Sequence, residues 1–121
     1  MKYDDNNIFA KILRGEIPCN KIYEDDFVLS FYDINPQKKI HALVIPKGKY
    51  IDLDDFNSNA SDDEILGLMK GITTVSKKLG ISSIDGNGYR ALANISDYGG
   101  QEVPHLHFHL FGGEKVGKMV S

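Results

Sequence analysis

Three histidines alternate with apolar residues in Pro104-His105-Leu106-His107-Phe108-His109-Leu110-Phe111, and His41 is the fourth and last in the chain. In a strand, residues two apart share a face. His105, His107 and His109 therefore stand on one side, and Leu106, Phe108 and Leu110 form the core side. Along an ideal strand the imidazoles recur about every 6.5–7 Å. Imidazole titrates near neutrality, so each ring can serve as nucleophile, acid or hydrogen-bond donor. Two chemistries use such a row. A His-x-His pair can ligate zinc, but the outer rings lie about 13–14 Å apart and the row carries no neighbouring carboxylate or cysteine, so the expectation is no metal. The other is phosphate chemistry, in which several imidazoles divide the work around one phosphorus.

Neighbouring residues suit the second chemistry. His41 opens the run His41-Ala42-Leu43-Val44-Ile45. All four imidazoles converge if that run lies beside the row with His41 facing it. Asp33, in Asp33-Ile34-Asn35-Pro36, ends a strand; its two carboxylate oxygens match a ribose diol, although position alone favours turn capping. Asn94 and the stretch Tyr98-Gly99-Gly100-Gln101-Glu102-Val103 precede the row, and glycines there permit backbone N–H groups to approach an anion.

The elements that must position these groups read as follows. Asn7 caps a short helix whose Ile8, Phe9, Ile12 and Leu13 share a face, ending at Gly15 before Pro18. Ser61-Asp62-Asp63-Glu64 is a capping box opening a helix over Asp62–Leu79, with Ile65, Leu68, Met69, Ile72, Val75 and Leu79 at helical spacing and Gly80 closing it. Gly67 and Gly71 inside that helix cost about 1 kcal/mol each relative to Ala. They are either tolerated or places of close packing, on the sheet or on a partner chain. Strands are expected at Lys21–Glu24, Phe27–Tyr32, His41–Ile45, Tyr89–Ile95 and His105–Phe111, with Asp52–Ser61 a solvated acidic loop. The expectation is one α+β domain over residues 1–121: an antiparallel sheet of about five strands with two helices on one face.

Composition bounds the rest. The 121 residues are 41% hydrophobic and 26% charged, as in ordinary globular domains. Fourteen Lys and Arg against 17 Asp and Glu give a net charge of −3, with no basic stripe for nucleic acid. Cys19 is the one cysteine, so neither an internal disulfide nor a Cys-rich zinc site is expected. No apolar leader or run of about 18 apolar residues occurs, so the expected setting is the cytoplasm without membrane contact.

These motifs resemble the histidine-triad superfamily, whose His-φ-His-φ-His-φ-φ signature matches His105 to Phe111, and within it the Hint branch. The match includes I-F-A-K-I-L-R-G-E-I-P from Ile8, F-Y-D-I-N-P-Q from Phe31, H-A-L-V-I-P-K from His41 and G-G-Q-E-V-P-H-L-H-F-H-L-F-G-G from Gly99. The resemblance implies a homodimer with the sheet continued across it and a purine nucleotide site on the histidine face. It implies attack at the α-phosphorus of a nucleoside phosphoramidate, without cofactor, through a covalent nucleotidyl-histidine on His107. By position, His105 contacts phosphate or leaving group, His109 and His41 bind phosphate oxygens or relay protons, and Asp33 takes the ribose beside Ile34. Phe9, Ile17, Phe31 and Leu43 form the base pocket; Asn94, Gly100 and Gln101 line the phosphate end. The alternatives are a dinucleoside polyphosphate hydrolase and a non-catalytic nucleotide-binding scaffold. Two departures stand out: Glu102 where animal Hint proteins carry Ser, and a tail, Glu114 to Ser121, without their Trp.

Overall fold

The computed structural model describes residues 2–120 and consists of three helices and one five-stranded antiparallel sheet. Helix α1 (Ile8–Leu13) is followed by β1 (Lys21–Glu24), β2 (Val28–Tyr32) and β3 (Ile40–Pro46). Then come α2 (Leu53–Asn59), α3 (Asp62–Lys78), β4 (Arg90–Leu92) and β5 (Phe108–Gly112). The strands lie in the order β1-β2-β3-β5-β4. Met1 and Ser121, the last residue of the tail, lie outside the described residues. Among the described residues, no helix is long and apolar enough to cross a membrane.

Strand alternation sorts the core into two halves. Val28, Ala42, Val44 and Leu110 face one way and pack with Leu68, Ile72 and Val75 of α3, with Phe56 of α2 and with Leu106. Leu29, Phe31, Leu43 and Ile45 face the other way and pack with Phe9 of α1. Helices thus cover both faces, not one as expected. A buried sheet needs both faces covered, and the short α1 supplies the second cover with one aromatic ring.

The sequence signals for α1 and α3 hold locally. The Asn7 side chain accepts from Ala10 N at 2.9 Å. Ser61 and Glu64 form the reciprocal capping box. Asp25 closes the β1–β2 hairpin by accepting from the backbone N–H groups of Phe27 and Val28.

Two expectations need correction. The 52–61 segment is not a loop: Asp52 caps α2 by accepting from Asp55 N, and Phe56 is buried. The helix is anchored by that ring in the core, with Leu53 packed beside it, whereas its other residues are polar. The last two strands are shorter than read, Arg90–Leu92 and Phe108–Gly112. His105 and His107 lie before the ladder, because His105 N donates to Val103 O and Leu106 N to Tyr50 O rather than to a neighbouring strand. Of the alternatives left open for Gly67 and Gly71, the structure shows close packing within the chain, against Phe27 just before β2 and Val28 of β2. A Cβ at Gly67 would stand 2.6 Å from Phe27 Cβ, and one at Gly71 would stand 3.0 Å from a Val28 methyl.

Candidate active site

Imidazoles meet where β3 runs beside β5. The register places His41 opposite Phe111 and Leu43 opposite His109, so His41 and His109 are diagonal neighbours. His41 Nε2 and His109 Nδ1 are 2.9 Å apart. The backbone N–H of Gln37 donates to His41 Nδ1 at 3.2 Å. A neutral ring that accepts at Nδ1 carries its proton on Nε2. His41 therefore donates to His109 Nδ1, and the proton of His109 sits on its Nε2.

His107 is oriented differently. Its Nδ1 is 2.7 Å from the carbonyl oxygen of His105. That oxygen only accepts, so Nδ1 holds the proton and Nε2 keeps its lone pair. The ring is 6% exposed. It packs edge-on against Phe9, with centroids 4.9 Å apart, and its centroid is 5.0 Å from that of His109.

His105 is fully buried. Its Nε2 lies 2.9 Å from Pro46 O, and its Nδ1 lies 2.6 Å from the Tyr3 hydroxyl. The carbonyl demands a proton on Nε2, so the Tyr3 hydroxyl donates to Nδ1. Both ring nitrogens are occupied, and none is left for a phosphate or leaving group. This corrects the role that position suggested for His105.

Burial disfavours the charged form of all four rings. It pushes His105 down to about 4. Burial also takes His109 to about 4, with repulsion from His107 and His41 adding to it. His107 and His41 are lowered by burial as well, opposed in His107 by its carbonyl partner and by Asp33 and Glu102, and in His41 by Asp33. At neutral pH the site is a set of neutral imidazoles with defined tautomers.

His107 and His109, but not His41 or His105, border a cleft of about 220 Å³ that is also lined by Phe9, Asp33, Leu43, Asn94, Gly100 and Glu102, together with Asn35, Gln37 and Val103. A larger concavity, about 900 Å³, lies between Gly80, Arg90 and Val116, but no imidazole reaches it. Asp33 does both things its position allowed. One oxygen accepts from Asn35 N at 2.8 Å, capping the turn, and the other stands 3.5 Å from His41 Nε2. Gly100, which also lines the cleft, has φ +77°, a conformation L side chains rarely adopt.

Four proposed lining residues are elsewhere. Ile34 is 87% exposed, and Ile17 is half-buried outside the cleft. Phe31 lies in the core beneath Phe9, ring centroids 5.6 Å apart. The Gln101 side chain turns away from the cleft: its amide donates to Ile51 O and Val103 O and accepts from Ser96 N. It braces the loop that carries Gly100.

Asp33, His41 and His109 each offer a ligand atom within 4.8 Å of the others. This corrects the expectation that the row has no carboxylate companion. The donor set nevertheless suits a cation poorly, because His41 Nε2 carries a proton and the His109 Nδ1 lone pair accepts it. Sequence reasoning missed Tyr3, Gln37 and the carbonyls of Pro46 and His105. Three of these act through the backbone, which leaves no residue-type signature.

Comparisons with known proteins place the chain in a family. The family model described as the HIT domain matches residues 14–116. An uncharacterised 13.2 kDa HIT-like protein of Azospirillum brasilense is 50% identical over 119 residues, covering 98% of this chain and 95% of that one. The purine nucleoside phosphoramidase of Escherichia coli K12 is 40% identical over 117 residues, covering 97% and 95%. Among solved structures, a HIT family hydrolase from Clostridium thermocellum superposes with TM-score 0.85 at 34% identity, covering 98% and 99%.

Proposed function

The chain belongs to the HIT domain family of hydrolases, and from that premise we propose that it is a purine nucleoside phosphoramidase acting through a covalent nucleotidyl-His107. The observation that carries the reading is the hydrogen bond from His107 Nδ1 to His105 O, which leaves Nε2 unprotonated at the cleft. The E. coli relative's name supplies the substrate class.

The Nε2 lone pair of His107 attacks the α-phosphorus, and the bond from phosphorus to the amine breaks. Positive charge develops on the ring as the new N–P bond forms, and the His105 carbonyl stabilises it through Nδ1–H. The bound phosphate favours the protonated state of the His41–His109 pair, which the empty site holds neutral. That pair gives a proton to the departing amine through His109 Nε2. Water then forms the new O–P bond and the His107–phosphorus bond breaks. The proton released by water returns to His109, and nucleoside monophosphate leaves. Asp33 holds the ribose hydroxyls, while Phe9 and Leu43 flank the base. Asn94 and the Gly100 backbone contact phosphate. Each step proceeds without a metal.

We also place the working protein as a homodimer. β4 is an edge strand of three residues, and Leu66 and Met69 of α3 are 53% and 45% exposed. An open edge and an apolar helix stripe suit an isologous contact. Sedimentation at micromolar concentration checks this: a dimer is expected, and a monomer contradicts it.

The activity test is a panel of adenosine phosphoramidate, a dinucleoside polyphosphate and a nucleoside monophosphate. Phosphoramidate turnover that His107→Ala abolishes is the expected result. Preferential cleavage of the dinucleoside polyphosphate, or binding without turnover, overturns the reading.

A further inference from the structure

Tyr3 lies 102 residues before His105 and outside every motif read from the sequence, yet its hydroxyl donates to His105 Nδ1 at 2.6 Å. We infer that Tyr3 is a positioning residue for His107, acting through His105; the inference rests on His107 being the nucleophile.

The path is short and each link is directional. Pro46 O takes the Nε2 proton of His105, and the Tyr3 hydroxyl takes the remaining lone pair. The His105 ring is thereby held in one tautomer and one orientation. The residue's backbone is held too: His105 N donates to Val103 O, and the next N–H, of Leu106, donates to Tyr50 O. Its carbonyl is then placed 2.7 Å from His107 Nδ1, the contact that leaves Nε2 free to attack. The Tyr3 ring meets the His105 ring edge-on, centroids 5.6 Å apart. Phe9 flanks both histidines from the same side, at 6.3 and 4.9 Å.

The segment bearing Tyr3 is fastened to the body of the protein. Asp5 pairs with Lys49 at 2.9 Å, and Arg14 donates to the Asp5 carbonyl at 2.8 Å. The Asn7 side chain donates to Asp4 O at 2.7 Å before α1 begins. The hydroxyl therefore does not reach His105 from a loose end; the turn at Asp4–Asn7 presents it.

Without the hydroxyl, Nδ1 of a fully buried imidazole has no donor. The ring is then held by the Pro46 contact alone and can tilt about it, which shifts the peptide that orients His107. Binding of the nucleotide does not pass through Tyr3, so the effect falls on the chemical step.

Tyr3→Phe keeps the ring and removes only the hydroxyl. The expected result is a 10- to 100-fold lower kcat on adenosine phosphoramidate with KM within threefold of wild type. Nitrogen-15 NMR of the imidazoles should report a His105 Nδ1 that has lost its hydrogen-bond donor, with the ring still Nε2–H, and a smaller Nδ1–H population at His107. Wild-type kcat in Tyr3→Phe, or an unchanged Nδ1–H population at His107, overturns the role. So does a slow Tyr3→Ala beside a wild-type-like Tyr3→Phe, which assigns the effect to packing. His107→Ala is run in parallel. If it still turns over, the nucleophile reading beneath has failed; if it is dead while Tyr3→Phe is normal, only the positioning role has.

Discussion

His105 should make the protein acid-sensitive by an amount that can be worked out. Its ring is fully buried, with Nε2 donating to Pro46 O and Nδ1 accepting from Tyr3. Burial lowers it from 6.5 to about 4. In the unfolded chain the ring takes up a proton below about pH 6.5, whereas in the folded protein it does so only near 4. The unfolded state therefore binds more protons in that window, and stability falls as the pH falls through it. The slope approaches 1.4 kcal/mol per pH unit, and the full window corresponds to about 3 kcal/mol. Carboxylates and the other histidines titrate there too, so the comparison is with His105→Gln, which cannot titrate. Urea unfolding is followed from about pH 7 down to about pH 4 for both proteins. His105→Gln is expected to be less stable at neutral pH and to lose about 3 kcal/mol less on acidification. Parallel pH profiles for the two proteins would refute the reasoning, as would an NMR titration placing the His105 midpoint near 6.5.

Other expectations can be checked by direct measurement. Asp33→Ala should weaken nucleotide binding by about 1–3 kcal/mol and abolish discrimination against 2′,3′-dideoxy nucleotides, measured by calorimetry; wild-type protein that binds both sugars equally contradicts the ribose role. Gly67→Ala should destabilise by about 1–3 kcal/mol in thermal melts, because the new methyl meets Phe27 Cβ and Cγ and the clash exceeds the helix-propensity gain of about 1 kcal/mol; a higher Tm contradicts that packing. Dialysis against a chelator should leave phosphoramidate turnover unchanged, since the His41 and His109 lone pairs are engaged by hydrogen bonds; loss of turnover restored by zinc contradicts the tautomer assignment.

The parts of the molecule visible in the sequence are those with strong local periodicity or a chemical signature. The capping box at Ser61 and the apolar spacing to Val75 located α3 to within a residue. The alternation at Leu106, Phe108 and Leu110 gave the correct inward face, since Leu106 and Leu110 are buried in the core and Phe108 packs against it. Helix α2 was hidden because it buries one side chain fully, Phe56, among aspartates, asparagines and a serine. The departure of His105 and His107 from the ladder was hidden because it depends on Tyr50 O and Val103 O, groups every residue possesses. Pairing His105 with Tyr3 required knowing where the amino-terminal segment lies after folding. Asp33 looked like a turn residue and is one, but its second oxygen reaches His41 only because β2 and β3 pair in the observed register.

The central claim is that His107 Nε2 bonds to phosphorus. Rapid acid-free quenching of wild-type protein with adenosine phosphoramidate, followed by peptide mass spectrometry, tests it most directly. The expected result is one adenylyl group on the peptide containing His107, absent in His107→Ala and lost on incubation in mild acid. Single-turnover release of nucleoside monophosphate with inversion at phosphorus, and no adduct at any time point, would contradict it.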